Sequence, residues 1–140
     1  MSDKVFFDTN VFIYAYDFRD PRKQAVAVEV LQKARDEGTL VVSYQVIQEF
    51  FNFALRRAAV KMLHEDAQRM LTEVFRPLDI VAPSLLLVSE GIRVQERYKL
   101  SWYDSLIVAA AVHGGCTTLY SEDLQDGQVF GGVVVRDPFR

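Results

Sequence analysis

The sequence predicts a single α/β domain, a three-layer α/β/α sandwich with a central and mostly parallel sheet. Three observations favour this fold class. Short runs of β-branched and aromatic residues alternate along the chain with longer segments of helical period. The 140 residues suit one domain, over residues 1–140, without a linker or repeat. Half of the residues are hydrophobic and a quarter are charged, which is an ordinary globular balance.

The elements of the first part of the chain follow from local signals. Residues 4–7 form a short apolar run that stops at Asp8, as a buried parallel strand does at the edge of a sheet. Residues 11–16 contain no helix breaker and are predicted to form a short helix. Pro21 suits a first helical position and Gly38 a helix end, so a longer helix is predicted between them, followed by a strand over residues 40–43.

Helical period dominates the rest of the chain. The helix that starts at Tyr44 has an apolar face and a polar stripe, formed by Gln45, Glu49, Asn52 and Arg56. Further helices are predicted over residues 63–75, after a Ser84 cap, and from Ser101 to the glycines at 114–115. In the helix after Ser84, the residues expected to face inward are Leu87, Val88 and Ile92, with Val94 as a further candidate. Strands are predicted over residues 78–81, 117–120 and 133–136.

Charge and cysteine content exclude several classes of protein. The formal net charge of −3 argues against unaided, non-specific binding to nucleic acid, but it does not exclude nucleic acid that is held locally. Cys116 is the only cysteine, so neither an intramolecular disulfide nor a thiolate zinc site is expected. No signal peptide or membrane span is recognisable, and a cytoplasmic location without a membrane partner is expected.

Four carboxylates are candidates for chemistry, and each has a simpler structural interpretation. Asp8 could cap the helix after its strand, and Asp104 could complete a capping box with Ser101. Glu49 could be a solvated helix residue and Asp123 a turn residue. If the strands before Asp8 and Ser121 are neighbours, however, all four acids share one cleft. Such a cluster is costly without a cation, and oxygen-only ligands suit Mg²⁺ or Mn²⁺.

Four segments together carry a family resemblance over the whole chain. They are Val5-Phe6-Phe7-Asp8-Thr9-Asn10, Gln48-Glu49-Phe50, Trp102-Tyr103-Asp104-Ser105-Leu106-Ile107-Val108-Ala109-Ala110, and Leu119-Tyr120-Ser121-Glu122-Asp123-Leu124. In this order they resemble the PIN-domain ribonucleases, and in particular the VapC-type toxins of toxin–antitoxin pairs.

The resemblance implies a role for each acid. Asp8 and Asp104 become the principal ligands of Mg²⁺ or Mn²⁺, and Glu49 and Asp123 complete a catalytic site that cleaves RNA. Thr9, Asn10 or Ser121 would support the ligands. Glu122 and Asp126 are further acids beside Asp123, and which of them contributes is open. The resemblance also implies an antitoxin partner and a homodimer.

The predicted function is therefore a metal-dependent endoribonuclease, the toxin of a type II toxin–antitoxin pair, in which a water molecule attacks the scissile phosphate. One alternative is a Mg²⁺-dependent phosphatase or phospho-acceptor that forms an aspartyl phosphate on Asp8, although the second Asp that such phosphatases generally carry two residues on is Asn10 here. Another is a catalytically idle PIN-like binding module. Six basic residues could be solvated or could form a rim that holds RNA phosphates: Arg56, Arg57, Lys61, Arg93, Arg97 and Lys99.

Overall fold

A computed structural model describes residues 3–140, so the first two residues of the predicted domain lie outside the described part. The described residues form six α-helices and a six-stranded sheet. The strands are β1 (Lys4–Phe7), β2 (Leu40–Ser43), β3 (Asp79–Val81), β4 (Cys116–Tyr120), β5 (Val129–Phe130) and β6 (Val133–Arg136). The helices are α1 (Thr9–Tyr16), α2 (Pro21–Glu37), α3 (Tyr44–Arg56), α4 (His64–Met70), α5 (Leu85–Tyr98) and α6 (Trp102–His113).

The strand order in the sheet is β3-β2-β1-β4-β6-β5, and only β5 runs antiparallel to its neighbour. The connections from β1 to β3 move towards one edge, and the connection from β3 to β4 returns past β1. Because crossovers between parallel strands are right-handed, α1 to α4 cover one face of the sheet and α5 and α6 cover the other. The predicted three-layer α/β/α architecture is confirmed.

The strand order reverses between β1 and β4, which are direct neighbours. Phe7 lies opposite Tyr120, and the N–H of Asp8 donates to the carbonyl of Tyr120 at 2.9 Å. In open α/β sheets, ligands bind outside the carboxyl ends of the strands at such a reversal. The expected adjacency of the strands that end at Asp8 and Tyr120 is therefore correct, and it places Asp8 where chemistry is usual in this architecture.

Local signals set most element ends as expected. Gly38 closes α2 with φ +70°, and Ser84 and Ser101 cap α5 and α6. The predicted helix over residues 63–75 is α4 followed by a π-helical turn, Leu71–Phe75. The two-residue strand β5 was not predicted, because it is too short to show a pattern of its own and is formed by pairing with β6.

The predicted inward face of α5 is partly wrong. Leu87 is buried and Val94 packs half-buried against the core, but Val88 is 39% exposed and Ile92 is 54% exposed. The close contact of α5 with α6 runs instead through Gly91, where a Cβ atom would lie 2.8 Å from Leu106 Cδ2. Because Gly91 has no side chain, α6 approaches α5 most closely at this residue. The side of α5 that carries Leu87 and Gly91 therefore faces inward, and Val88 and Ile92 lie outside this contact. Among residues 3–140, no helix is long and apolar enough to cross a membrane.

Candidate active site

Asp8 directly follows β1 and caps α1, and it is almost fully buried, with 5% of its surface exposed. One carboxylate oxygen accepts from the Thr9 N–H at 2.7 Å and the other from the Ser121 hydroxyl at 2.8 Å. Burial raises the pKa of Asp8 from its ordinary 3.8 to about 6; the two hydrogen bonds oppose this shift, and the negative charges of Asp123 and Asp104 add to it. Asp8 is therefore a helix cap and also a carboxylate whose ionised form would be stabilised by a nearby cation.

The hydroxyl of Ser121 links Asp8 to the loop after β4. It donates to Asp8 and accepts from the backbone N–H groups of Asp123 at 3.1 Å and Leu124 at 3.3 Å. A hydroxyl has one donor and two acceptor positions, so the capacity of this buried side chain is fully used. Ser121 thus fixes the start of the loop that carries Asp123.

Thr9 and Asn10, at the start of α1, each hold one further acid. The Thr9 hydroxyl donates to Glu49 at 2.8 Å, and the Asn10 amide donates to Asp123 at 3.1 Å. Gln45, one turn before Glu49 on α3, lies 3.4 Å from the same Glu49 oxygen and 3.2 Å from the Tyr103 carbonyl. The three supporting residues expected from the sequence, Thr9, Asn10 and Ser121, all contact one of the four acids.

Asp104 lies in the first turn of α6. The Ser101 side chain accepts from the Asp104 N–H at 3.2 Å, which is one half of the expected capping box. Within the described residues, the Asp104 carboxylate has no hydrogen-bond or ion-pair partner, so the reciprocal bond to the Ser101 backbone is not formed. This carboxylate is consequently free to bind a ligand.

The four acids line one open cleft of about 250 Å³, as the sequence suggested. The rest of the lining comes from α1, α3 and α6: Thr9, Asn10, Ile13, Gln45, Asn52, Phe53, Arg57, Tyr103 and Ile107. The polar stripe of α3 enters the cleft through Gln45, Glu49 and Asn52, but Arg57 takes the place expected for Arg56. Arg57 is the residue just after α3, and its N–H still donates to the Phe53 carbonyl at 2.8 Å.

The two neighbouring acids that the sequence left open point elsewhere. Glu122 pairs with Lys23 at 2.7 Å and accepts from the Tyr14 hydroxyl at 3.0 Å. Asp126 accepts from the Asp137 N–H at 2.9 Å and lies 3.5 Å from Arg140. Neither lines the cleft, whereas Asp123 does.

The family model of the PIN domain matches residues 5–125 of this chain. The chain belongs to the PIN domain family. The match includes β1 to β4, all six helices and all four acids, so the family prediction is confirmed.

Three solved structures share the fold of this PIN domain. A chain of a toxin–antitoxin complex from Klebsiella pneumoniae is 19% identical with a TM-score of 0.67, over 96% of this chain and 98% of that one. A chain of FitAB bound to an IR36 DNA fragment is 17% identical with a TM-score of 0.73, over 97% of this chain and 96% of that one. VapC20 of Mycobacterium tuberculosis, described as a sarcin–ricin loop cleaving toxin, is 16% identical with a TM-score of 0.64, over 86% of this chain and 90% of that one. Comparison with curated proteins gave no match.

The donor set of this PIN domain fits a hard divalent cation, because the cleft offers carboxylate, hydroxyl and amide oxygens. Among residues 3–140, no three His, Cys, Asp or Glu side chains already converge on one ion position. Mg²⁺ does not require that, since proteins commonly hold it by one or two carboxylates together with water and substrate phosphate. Both Asp8 and Asp104 line the cleft, and within the described residues the Asp104 carboxylate has no partner that would compete with an ion.

Sequence reasoning missed two groups around this cleft. The pair of Lys23 with Glu122 gave no signal, because the two residues are 99 positions apart in the chain. Lys23 Nζ also lies 3.3 Å from the Tyr14 hydroxyl and 4.7 Å from the centre of the Tyr14 ring. Gln45 was placed on a polar stripe, but its hydrogen bonds to α3 and α6 residues depend on how these helices meet.

Proposed function

We propose that this PIN domain is a Mg²⁺- or Mn²⁺-dependent endoribonuclease and the VapC-type toxin of a type II toxin–antitoxin pair. The observation that carries the proposal is the cleft at the carboxyl ends of β1 and β4, lined by Asp8, Glu49, Asp104 and Asp123. Similarity to VapC20, described as a sarcin–ricin loop cleaving toxin, supports the choice of RNA, and similarity to a toxin–antitoxin complex supports the toxin role.

The hydrogen bonds of the four acids suggest a different role for each pair of them. Asp8 is held rigidly by Thr9 and Ser121, and Asp104 reaches the cleft without a competing partner. Glu49 and Asp123 are oriented by Thr9 and Asn10, and either can accept a proton from attacking water. When bound, a divalent ion would activate the water, neutralise the phosphate and stabilise the leaving oxygen.

The nucleophile determines the products. Water attacks the phosphorus atom, the bond from phosphorus to the 3′ oxygen breaks, and that oxygen takes up a proton. The products are a 3′-hydroxyl and a 5′-phosphate, because the ribose 2′ oxygen takes no part in the attack. A cyclic phosphate product would contradict this proposal.

An apolar groove supports the antitoxin as a partner. It has a volume of about 460 Å³, lies between α1, α2 and the end of α4, and is lined by Phe12, Tyr16, Val28, Leu31, Met70 and Val74 among others. An apolar segment of the antitoxin would fill this groove. A basic side chain of the antitoxin would then enter the acidic cleft and displace metal or RNA.

A second copy of the chain is proposed to cover the exposed apolar face of α5 and the start of α6. Leu85 and Ile92 are 89% and 54% exposed on the side of α5 that faces away from the buried Leu87 and Gly91, and Leu86, Val88 and Trp102 are exposed beside them. A patch of this kind on a soluble chain marks an interaction surface.

We place the reaction in the cytoplasm, which suits a chain whose one cysteine, Cys116, is buried and free.

The test of function is incubation of the purified protein with total RNA and Mg²⁺ or Mn²⁺, with mapping of the fragment ends. We expect discrete cuts that are lost with EDTA and in Asp8→Asn and Asp104→Asn, and kept in Glu96→Gln, an exposed acid on α5 outside the cleft. Cleavage that survives both EDTA and Asp104→Asn would contradict the proposal.

A further inference from the structure

Arg57 stands out among the basic residues of this molecule. Of the six that the sequence offered as a possible rim, Arg57 alone lines the acidic cleft. Within the described residues, its guanidinium has no carboxylate within 4.0 Å and no hydrogen-bond partner, although four acids line the same cleft. A cation that lines an acidic cleft without pairing to it is available to a ligand.

The position of Arg57 follows from the helix before it. Glu49, Phe53 and Arg57 are spaced by four residues and therefore follow one face of α3, which forms one wall of the cleft. At 1.5 Å per residue, Arg57 lies roughly 12 Å along α3 from Glu49. Asn52 and Phe53 lie between them on the same wall. Arg57 thus lies at the end of this wall away from Glu49, on the path of a strand that occupies the cleft.

The simplest structural role of Arg57 is to complement the dipole at the carboxyl end of α3. Arg56 has the same opportunity, since it is the last residue of α3; both arginines are exposed, but Arg56 does not line the cleft. The dipole therefore explains a basic residue at the helix end but does not explain why Arg57 lines the cleft together with the acids. The acids repel the phosphates of a nucleic acid strand, and a guanidinium beside them offsets that repulsion.

We propose that Arg57 binds a phosphate of the RNA strand next to the scissile one and so sets where the strand lies in the cleft. The inference rests on the proposed ribonuclease function and adds a substrate-binding residue to it. A guanidinium suits this role because it is always charged and can donate two parallel hydrogen bonds to phosphate oxygens.

The test compares Arg57→Gln with Arg56→Gln, two variants that remove the same charge from the same helix end. The probe is a fluorescein-labelled RNA fragment that spans a cut mapped in total RNA. Its affinity is measured in the hydrolysis-deficient Asp104→Asn background over a range of salt concentrations, and KM and kcat are measured in the active protein.

We expect Arg57→Gln to weaken RNA binding roughly tenfold at low salt and to reduce the slope of log affinity against log salt by about 0.7, as expected for one lost contact to a single strand. KM should rise while kcat changes little. Arg57→Lys should keep the salt slope but bind less tightly, and Arg56→Gln should resemble the parent. Both Gln variants should unfold alike in urea.

Equal RNA affinity and equal salt slope in the two Gln variants, with cleavage by the parent intact, would overturn the role of Arg57 and leave the proposed function standing. A parent that neither binds nor cuts any RNA in the presence of Mg²⁺ or Mn²⁺ would overturn the proposed function, and the inference with it.

Discussion

Asp8 must satisfy two opposing requirements. As the buried cap of α1 it is most stable when protonated, but as a cation ligand it must be ionised. Its pKa of about 6 lies above the ordinary 3.8, so the native state holds the proton more tightly than the unfolded state does. Stability from this group is therefore present at low pH and is lost as the pH rises from 3.8 to about 6.

The first prediction concerns the stability of Asp8→Asn. A difference of about two pKa units corresponds to about 3 kcal/mol, so the variant should be more stable than the parent by about 1 to 3 kcal/mol at pH 8 in EDTA. An amide can still accept from the Thr9 N–H, but it avoids the burial of a charge. Near pH 4 the difference should shrink, and urea unfolding at both pH values measures it.

The control for this measurement is Asp123→Asn, which alters an exposed carboxylate of the same cleft and should change stability little. Asp8→Asn that is less stable than the parent at pH 8 would show that the hydrogen bonds of the carboxylate outweigh its burial. The account of Asp8 given above would then be wrong.

A second prediction follows for the pH dependence of cleavage. Only ionised Asp8 binds a cation, so with limiting Mn²⁺ the cleavage rate should fall about tenfold between pH 7 and pH 5, since a group with a pKa of about 6 is about one-tenth ionised at pH 5. Higher Mn²⁺ should restore much of the rate, because the metal competes with the proton for the same oxygens. A rate at limiting Mn²⁺ that does not change over this range would contradict a role for Asp8 as ligand.

At the scale of elements, the loop after β4 is held in place by α1 and α2. Lys23 on α2 pairs with Glu122 at 2.7 Å, and the Glu122 N–H lies 3.4 Å from the Asn10 oxygen. Asn10 in turn donates to Asp123. The hydrogen bond to Glu122 is the main cause that raises the pKa of Lys23, so Lys23 is charged at neutral pH. This chain of contacts keeps Glu122 out of the cleft and orients Asp123 into it.

The third prediction is that Lys23→Met impairs the site without touching it. The loop should loosen, and the Mn²⁺ concentration needed for half-maximal cleavage should rise roughly tenfold, as is common when a partner of a metal ligand is removed. Lys33→Met, at an exposed position of the same helix, should leave this concentration unchanged. If both variants require the same Mn²⁺ concentration, the loop does not depend on Lys23.

The sequence was most informative where local chemistry decides the structure. Ser84, Ser101 and Gly38 mark helix ends through their own backbone bonds, and the apolar run before Asp8 is long enough to specify a strand. The shared cleft of the four acids could be predicted because the carboxyl ends of parallel strands meet at one edge of the sheet. These features need no knowledge of distant contacts.

The features that the sequence could not specify depend on tertiary contacts. Val88 and Ile92 are exposed because the close approach at Gly91 sets the rotation of α5, which hydrophobic period alone does not determine. Arg57 rather than Arg56 lines the cleft because it continues the row of Glu49 and Phe53 at a spacing of four residues, and the packing of α3 decides which row enters the cleft. The roles of Glu122 and Asp126 became clear only from partners on α2 and at the carboxyl end of the chain.

At the scale of the whole molecule, the cleft and the exposed apolar face of α5 and α6 have no residue in common. The apolar face therefore gives a prediction of its own. The parent should be a dimer by size-exclusion chromatography with light scattering, and the double variant Leu86→Glu and Ile92→Glu should be a monomer. Val60→Glu, at an apolar position that is 61% exposed before α4, should remain a dimer. A parent that is monomeric at all concentrations would rule out this interface.

We propose that Asp8, Glu49, Asp104 and Asp123 act together as a site for a divalent cation. Calorimetric titration with Mn²⁺ tests it most directly, because it does not depend on finding the RNA target. We predict saturable binding by the parent and by Glu96→Gln, and binding at least tenfold weaker in Asp104→Asn, which should unfold at the same urea concentration as the parent. Binding of Mn²⁺ by Asp104→Asn as tight as by the parent, or no binding by either, would contradict the claim.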